Sequence, residues 1–211
     1  MDRFERLEAV AVPIARVNCD TDQIIPAQYL QKLRSEDFGR FLFAEFRFRK
    51  DGSEVPEFIL NRPAYRPARI LVADRNFGCG SSREHAVWAL HDYGIRAVIA
   101  PSFGDIFFNN CLKNGLLPIV LPQAVVTPLL VQLDSSPGAM VAVDLPEQEV
   151  ALPDGGRHPF EIEAFAKTCL VNGIDELAYT LAQSDRIDAF ERGYDGGSVE
   201  TLPVPDQGEH S

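Results

Sequence analysis

The chain has 211 residues, 45% of them hydrophobic and 24% charged, the profile of an ordinary globular protein with room for one substantial domain. Its 20 basic and 31 acidic residues give a formal charge of −11, and such an acidic surface repels phosphate backbones, which argues against a nucleic-acid partner. No apolar run approaches the ~20 residues that span a bilayer, and "MDRFERLEAVAVPIARVN" lacks the apolar core of a signal peptide, so a cytoplasmic protein without membrane attachment is expected.

In chain order, "LEAVAVPIARV" reads as a strand that ends in a polar turn, "NCDTD". "QIIPAQYLQKLRSEDFG" has loop character around Pro26 and then a short helical stretch. The next segment crowds Phe41, Phe43, Phe46 and Phe48 between glycines and prolines, so something must cover it: the local core or a partner protein. "ARILVAD" is a continuous apolar run of strand length, as expected for a sheet covered on both faces.

A glycine–serine turn follows, then "SREHAVWALHDYG", in which Ala86, Ala89, Leu90 and Tyr93 recur at helical spacing ahead of Gly94. "IRAVIA" is a strand, "DIFFNNCLKNG" a short helix ending at Gly115, and "LLPIVLP" a further strand. This alternation implies an α/β fold with parallel pairing and right-handed crossovers. "QAVVTPLLVQLDSSPG" reads as a helix, and "AMVAVDLPEQEVALPDGGRHPFEI" as a β-hairpin with an Asp-Gly-Gly turn. "EAFAKTCLVNGIDELAYTLAQSDRIDAFERG" reads as two or three helices. The organisation expected is one domain over residues 1–192 and a polar Gly/Pro tail over 193–211.

Cys19, Cys79, Cys111 and Cys169 lie far apart without a C-x-x-C pair. That spacing suits neither zinc nor an iron–sulfur cluster, and the simplest reading is four small buried apolar residues.

The turn "NFGCGSSREHAVWAL" is the most informative stretch. Ser81 and Glu84 form an S-x-x-E capping-box pattern, which explains one serine and the glutamate but leaves Gly78, Gly80, Ser82 and Arg83 without a reason. Arg83 stands where a dinucleotide loop needs its third glycine, G-K-[ST] is absent, and the G-x-S-x-G elbow fails after Ser82. Glycines let a backbone approach a ligand closely, and a helix N-terminus offers free N–H groups and partial positive charge. An arginine beside it binds carboxylates bidentately. Such a turn suits a carboxylated small molecule, and the same field favours a serine alkoxide able to remove a proton next to a carboxylate.

Together with "GIRAVIAPSFGDIFFNNCLKNGLLPIVLP" and "NCDTDQIIPAQYL", this stretch resembles the small subunits of bacterial 3-isopropylmalate dehydratase, relatives of the swivelling C-terminal domain of aconitase. The resemblance runs from about residue 4 to the "CLVNGIDELAYTL" segment. It implies a β/β/α swivel domain with a central, mostly parallel sheet flanked by helices. The activity implied is a hydro-lyase of leucine biosynthesis that interconverts 2- and 3-isopropylmalate through isopropylmaleate. The chain would be inactive alone and would pair with a large subunit carrying a [4Fe–4S] cluster, itself binding no metal.

By this resemblance Ser81 is the catalytic base, Ser82 and Arg83 bind substrate carboxylates, and Asp22 is an active-site aspartate, its alternative being a turn or helix-start aspartate. Tyr29 and Leu30 occupy the place where relatives select the substrate's side group, and two apolar faces suit an isopropyl group. Arg34 lies close enough in sequence to enter the site instead. His85 and Cys79 are given structural roles. The alternatives are a related hydro-lyase acting on citraconate, 2-methylmalate or another small di- or tricarboxylate, and a non-catalytic carboxylate-binding swivel protein.

Overall fold

The apolar runs become four parallel strands of one sheet: β1 (Arg6–Ile14), β2 (Ile70–Ala73), β3 (Ala97–Ala100) and β4 (Leu117–Val120). Ala11 faces Ile70 across β1 and β2, Ile70 faces Ala97, and Ala97 faces Leu117. The other edge of β1 pairs antiparallel with β5 (Met140–Asp144), which continues into β6 (Glu149–Ala151) and β7 (Arg157–Pro159). The seven strands are ordered β4-β3-β2-β1-β5-β6-β7. The expected hairpin is thus a three-stranded meander, with Asp154-Gly155-Gly156 turning between β6 and β7. The structure is a computed structural model and describes residues 1–34, 38–181 and 184.

Seven α-helices are described: α1 (Thr21–Ile24), α2 (Ala44–Arg47), α3 (Glu84–Tyr93), α4 (Asp105–Lys113), α5 (Gln123–Ser135), α6 (Ala164–Asn172) and α7 (Glu176–Leu181). The chain divides into a unit over Met1–Asp175, which holds the sheet and the first six helices, and a second over Glu176–Ser211. The expected third C-terminal helix and the tail fall outside the described residues, as does the end of the "QYLQKLRSED" stretch. The helix expected after Pro26 is shorter than its pattern suggested: α1 precedes the proline, and a single 3-10 turn over Ala27–Tyr29 follows it.

Both faces of the parallel strands are covered, which is why their sequences are apolar without alternation. Val12, Ile14, Leu71, Ala73, Val98 and Ala100 point to one side, against α3, α4 and the aromatic segment. Ala9, Ala11, Ile70, Val72, Ala97, Ile99, Leu117 and Ile119 point to the other, against α5 and α6. Gly94 ends α3 at φ +111°, its N–H returning to Leu90 and His91 carbonyls, as the helix pattern predicted.

The aromatic segment is covered from within. Phe38, Phe41 and Phe43 are buried against α3, and Phe46 stacks on Phe58. Arg47 is buried beneath them, donating to the Gly39 and Leu42 carbonyls and to Asn61 Oδ1, with Tyr93 and Phe48 rings 4.9 Å from its guanidinium. Among the described residues no helix is long and apolar enough to cross a membrane.

Candidate active site

Because β1, β2 and β3 run parallel, the loops that leave their carboxyl ends meet on one edge of the sheet, the edge where open α/β sheets hold ligands. These loops are laced together beyond the strands. Gly78 N–H donates to the Cys19 carbonyl (2.7 Å), Thr21 N–H to the Cys79 carbonyl (2.9 Å) and Gly104 N–H to the Phe77 carbonyl (2.9 Å). Asn18 and Asn76 both adopt left-handed backbone, at φ +54° and +59°, and are joined by an amide hydrogen bond of 2.8 Å. Strained non-glycine residues of this kind survive only where the surroundings hold them, as at functional sites.

Two glycines in the turn are obligatory. Gly78 has φ +71° and lies against the buried Phe107 ring of α4; Gly80 has φ +94°. The sharp chain they allow delivers Ser81, Ser82 and Arg83 to the first turn of α3. The capping box expected from Ser81 and Glu84 does not form: α3 begins at Glu84, and Arg83 takes the cap position with extended backbone and no side-chain cap bond. The Ser81 carbonyl accepts a hydrogen bond from Thr21 Oγ1 (2.9 Å), and Glu84 Oε1 accepts one from Asn114 Nδ2 (2.8 Å). Contacts distant in sequence have overridden the local signal.

A cleft of about 170 Å³ opens here, lined by Thr21, Gly78, Gly80, Ser81 and Arg83 on one side and by Gly104 to Phe107 on the other. It lies between the N-terminal turns of α3 and α4, whose unpaired N–H groups and dipoles both favour an anion. Arg83 is largely buried, and its Nη1 donates to Asp22 Oδ1 while the Asp22 carboxylate stays mostly exposed. Of the residues predicted for catalysis and carboxylate binding, Ser81, Arg83 and Asp22 are therefore brought together from segments 61 residues apart. Ser82 is exposed between Ser81 and Arg83 and does not line the cleft.

Tyr29 and Leu30 sit on the 3-10 turn after α1, half-buried against the aromatic core, and are not among the residues lining the cleft. The Tyr29 ring stacks on Phe41 at 4.2 Å. Arg34 turns to the far end of α3, where its Nη2 and Nε donate to Asp92 Oδ1 (2.6 Å) and Oδ2 (3.0 Å). Burial works to raise the Asp92 carboxyl, but hydrogen bonds from Arg34 and His91 outweigh it and hold it below the usual aspartate value. His85 packs on Trp88, with ring centroids 4.5 Å apart, and lies near Phe38.

Cys79 lies in the turn, yet burial raises its thiol above the ordinary value, and burial pushes Cys19 up to about 12. Both stay protonated near neutral pH, so neither is an activated nucleophile. Among the described residues no group of three or more His, Cys, Asp or Glu side chains is placed to hold a metal ion.

Two features of the cleft escape a reading of the sequence: Thr21, overshadowed by its flanking aspartates, and the first turn of α4. The glycine of "PSFGD", placed after β3 as the glycine–serine turn is placed after β2, was the available signal for α4.

Known proteins share this architecture. The family model described as the aconitase C-terminal domain matches residues 1–124, and a second, LeuD_N, matches residues 128–164. The 3-isopropylmalate dehydratase small subunit of Paramagnetospirillum magneticum is 55% identical over 191 residues, covering 90% of this chain and 95% of that protein. The corresponding protein of Rhodospirillum centenum is 56% identical, covering 90% and 94%. A crystal structure of 3-isopropylmalate dehydratase from Methanocaldococcus jannaschii superposes with a TM-score of 0.63 at 26% identity, over 88% of this chain and 99% of that one. On a fold and a cleft of this kind, with identity of that extent, the chain belongs to the family of 3-isopropylmalate dehydratase small subunits, built on the aconitase C-terminal domain.

Proposed function

We propose that this chain is the catalytic small subunit of a 3-isopropylmalate dehydratase, interconverting 2- and 3-isopropylmalate through isopropylmaleate in leucine biosynthesis. The observation that carries the reading is the placing of Ser81 and Arg83 in one cleft between two helix N-termini. In that field Ser81 Oγ takes the proton from the carbon next to a carboxylate and returns it to the opposite carbon on rehydration. Arg83 holds that carboxylate through the donors Asp22 leaves free, since a guanidinium has five and one is engaged there. Asp22 fixes the guanidinium in place, and Ser82, exposed beside it, adds a hydroxyl donor to the substrate.

The cleft is incomplete. At about 170 Å³ it falls below the roughly 300–1,000 Å³ typical of small-molecule sites, so this chain supplies one wall. The four cysteines do not gather into a set: Cys79 in the turn lies near the buried Cys19, and Cys111 and Cys169 are buried as well, but no three of them come together among the described residues. The described residues of this chain therefore offer no cradle for a cluster. In this reading the large subunit closes the cleft and carries the [4Fe–4S] cluster, whose Lewis acidity acts on the substrate hydroxyl. A cytoplasmic setting is part of the proposal, and so is selection of the isopropyl group by the turn bearing Tyr29 and Leu30, with Arg34 engaged by Asp92.

The test is to combine the chain with its cognate large subunit anaerobically, restore iron, and follow isopropylmaleate formation from 3-isopropylmalate, with 2-methylmalate in parallel. The expected result is turnover of 3-isopropylmalate by the pair and none by either chain alone. Turnover of 2-methylmalate without 3-isopropylmalate would overturn the substrate assignment, and activity of the small chain alone would overturn the two-subunit reading.

A further inference from the structure

We infer that Thr21 is a positioning residue for Ser81: its buried hydroxyl, clamped on the Ser81 carbonyl, fixes the direction from which the serine oxygen meets the substrate. The inference rests on the proposed function, since it assigns Thr21 a part in the step given to Ser81.

Thr21 grips the glycine–serine turn at two points. Its backbone N–H donates to the Cys79 carbonyl and its Oγ1 donates to the Ser81 carbonyl, each at 2.9 Å. The two carbonyls flank Gly80, whose left-handed backbone at φ +94° is the most pliable joint of the turn. A methyl built on Gly80 would lie 3.7 Å from Thr21 Oγ1, so the threonine sits directly behind that joint. Between these two bonds the Gly80–Ser81 backbone has little freedom to rotate, and the Ser81 Cα–Cβ direction follows from it.

Thr21 is itself immobile. It is 1% exposed, starts α1, and its own carbonyl accepts from Ile25 N–H. Asp20 caps α1 through Gln23 N–H at 2.8 Å, and the neighbouring Asp22 holds Arg83. One short helix thus controls both ends of the catalytic tripeptide: Thr21 the Ser81 carbonyl, Asp22 the Arg83 guanidinium. The clamp also has an electrostatic effect. A carbonyl bound by a hydroxyl donor is held away from its own side-chain oxygen and partly neutralised; unclamped, its negative end is free to swing toward Oγ and oppose the anionic form of the base.

A buried threonine that merely satisfies its hydroxyl would show the same hydrogen bond, so the test separates the two. Thr21→Val keeps the shape and removes the donor; Thr21→Ser keeps the donor and removes a methyl. Each variant is assayed as the reconstituted two-subunit enzyme with 3-isopropylmalate, protonated or deuterated at the carbon that loses its proton. Misplacement of a reacting group by a fraction of an ångström to an ångström costs up to ~100-fold, so Thr21→Val is expected to lower kcat about 10- to 100-fold. KM should remain within about twofold, because ground-state binding by Arg83 is untouched. The primary deuterium isotope effect on kcat should be larger in Thr21→Val than in wild type, and Thr21→Ser should restore both kcat and the smaller isotope effect.

Wild-type kcat in Thr21→Val overturns the inference. So does equal loss in both variants, which would make the methyl the important group, or an unchanged isotope effect beside a lowered kcat. A wild-type pair inactive on 3-isopropylmalate overturns the proposed function and this inference with it, whereas an active wild type with any of the former results overturns the inference alone.

Discussion

Replacing Gly78 with alanine should disrupt the turn that carries Ser81 for two separable reasons. Its backbone stands at φ +71°, and forcing an L-residue into that region costs about 1–2 kcal/mol. A methyl there would also lie within 2.7 Å of Cγ, Cδ1 and Cδ2 of Phe107, where carbon pairs rest about 3.5–4.0 Å apart. Phe107 cannot swing aside: it is 3% exposed, set edge-on to Phe77 at 5.5 Å and stacked with Phe103 at 6.3 Å. Overpacking of this kind costs about 1–3 kcal/mol, giving roughly 2–5 kcal/mol in total. A smaller unfolded-state entropy offsets up to about 1 kcal/mol of it.

Gly80→Ala is the internal control, since its backbone is left-handed too but the nearest atom to an added methyl is Asp20 Cβ, at 3.5 Å. It should show only the backbone cost. Thermal unfolding of the isolated chain, followed by circular dichroism, should place Gly78→Ala lowest. At about 2–4 °C of Tm per kcal/mol for a chain of this size, the net cost of about 1–5 kcal/mol shifts Tm by roughly 2–20 °C. Phe107→Ala should then relieve the clash, so the double variant is more stable than the sum of the single effects by about 1–3 kcal/mol. Additivity within about 0.5 kcal/mol would refute the steric part of the argument.

Asp92→Asn tests the Arg34 pair. A carboxyl held below the usual aspartate value of 3.8 adds stability that is complete above that pH and lost as pH falls through the lower folded value. Wild type should therefore exceed Asp92→Asn in urea midpoint near neutral pH, with the gap closing below 3.8; a gap independent of pH would contradict it. Iodoacetamide near neutral pH should leave Cys19, raised to about 12, unmodified in the native chain and alkylate it in denaturant. Cys79→Ser should retain turnover in the reconstituted enzyme, and loss of turnover with assembly intact would restore chemistry to that thiol.

Much of the architecture was legible because it rests on short-range pattern. Unbroken apolar runs marked β2, β3 and β4, and helical spacing with Gly94 marked α3, since burial on both sheet faces and left-handed helix ends leave direct traces in sequence. The antiparallel joining of β5 to the free edge of β1 left none, because that choice is made between strands more than a hundred residues apart. The aromatic segment looked equally suited to a core or an interface; its burial depends on Arg47 and α3, which composition does not reveal.

At the site, residue types pointed to a carboxylate-binding turn of serines and Arg83, the family resemblance added Asp22 and the part given to Ser81, and the fold brought Ser81, Arg83 and Asp22 to one edge. The helix start was misread because S-x-x-E is a local rule, and Thr21 claims the Ser81 carbonyl from 60 residues away. Asp20, whose side chain does cap a helix beside the site, serves α1 instead.

The central claim is that Ser81 is the proton-transferring base. Ser81→Ala, combined with the large subunit and restored iron, should assemble and bind 3-isopropylmalate as wild type does, yet form isopropylmaleate at least ~1,000-fold more slowly, the upper part of what a positioned base contributes. Turnover within a few-fold of wild type would contradict the account.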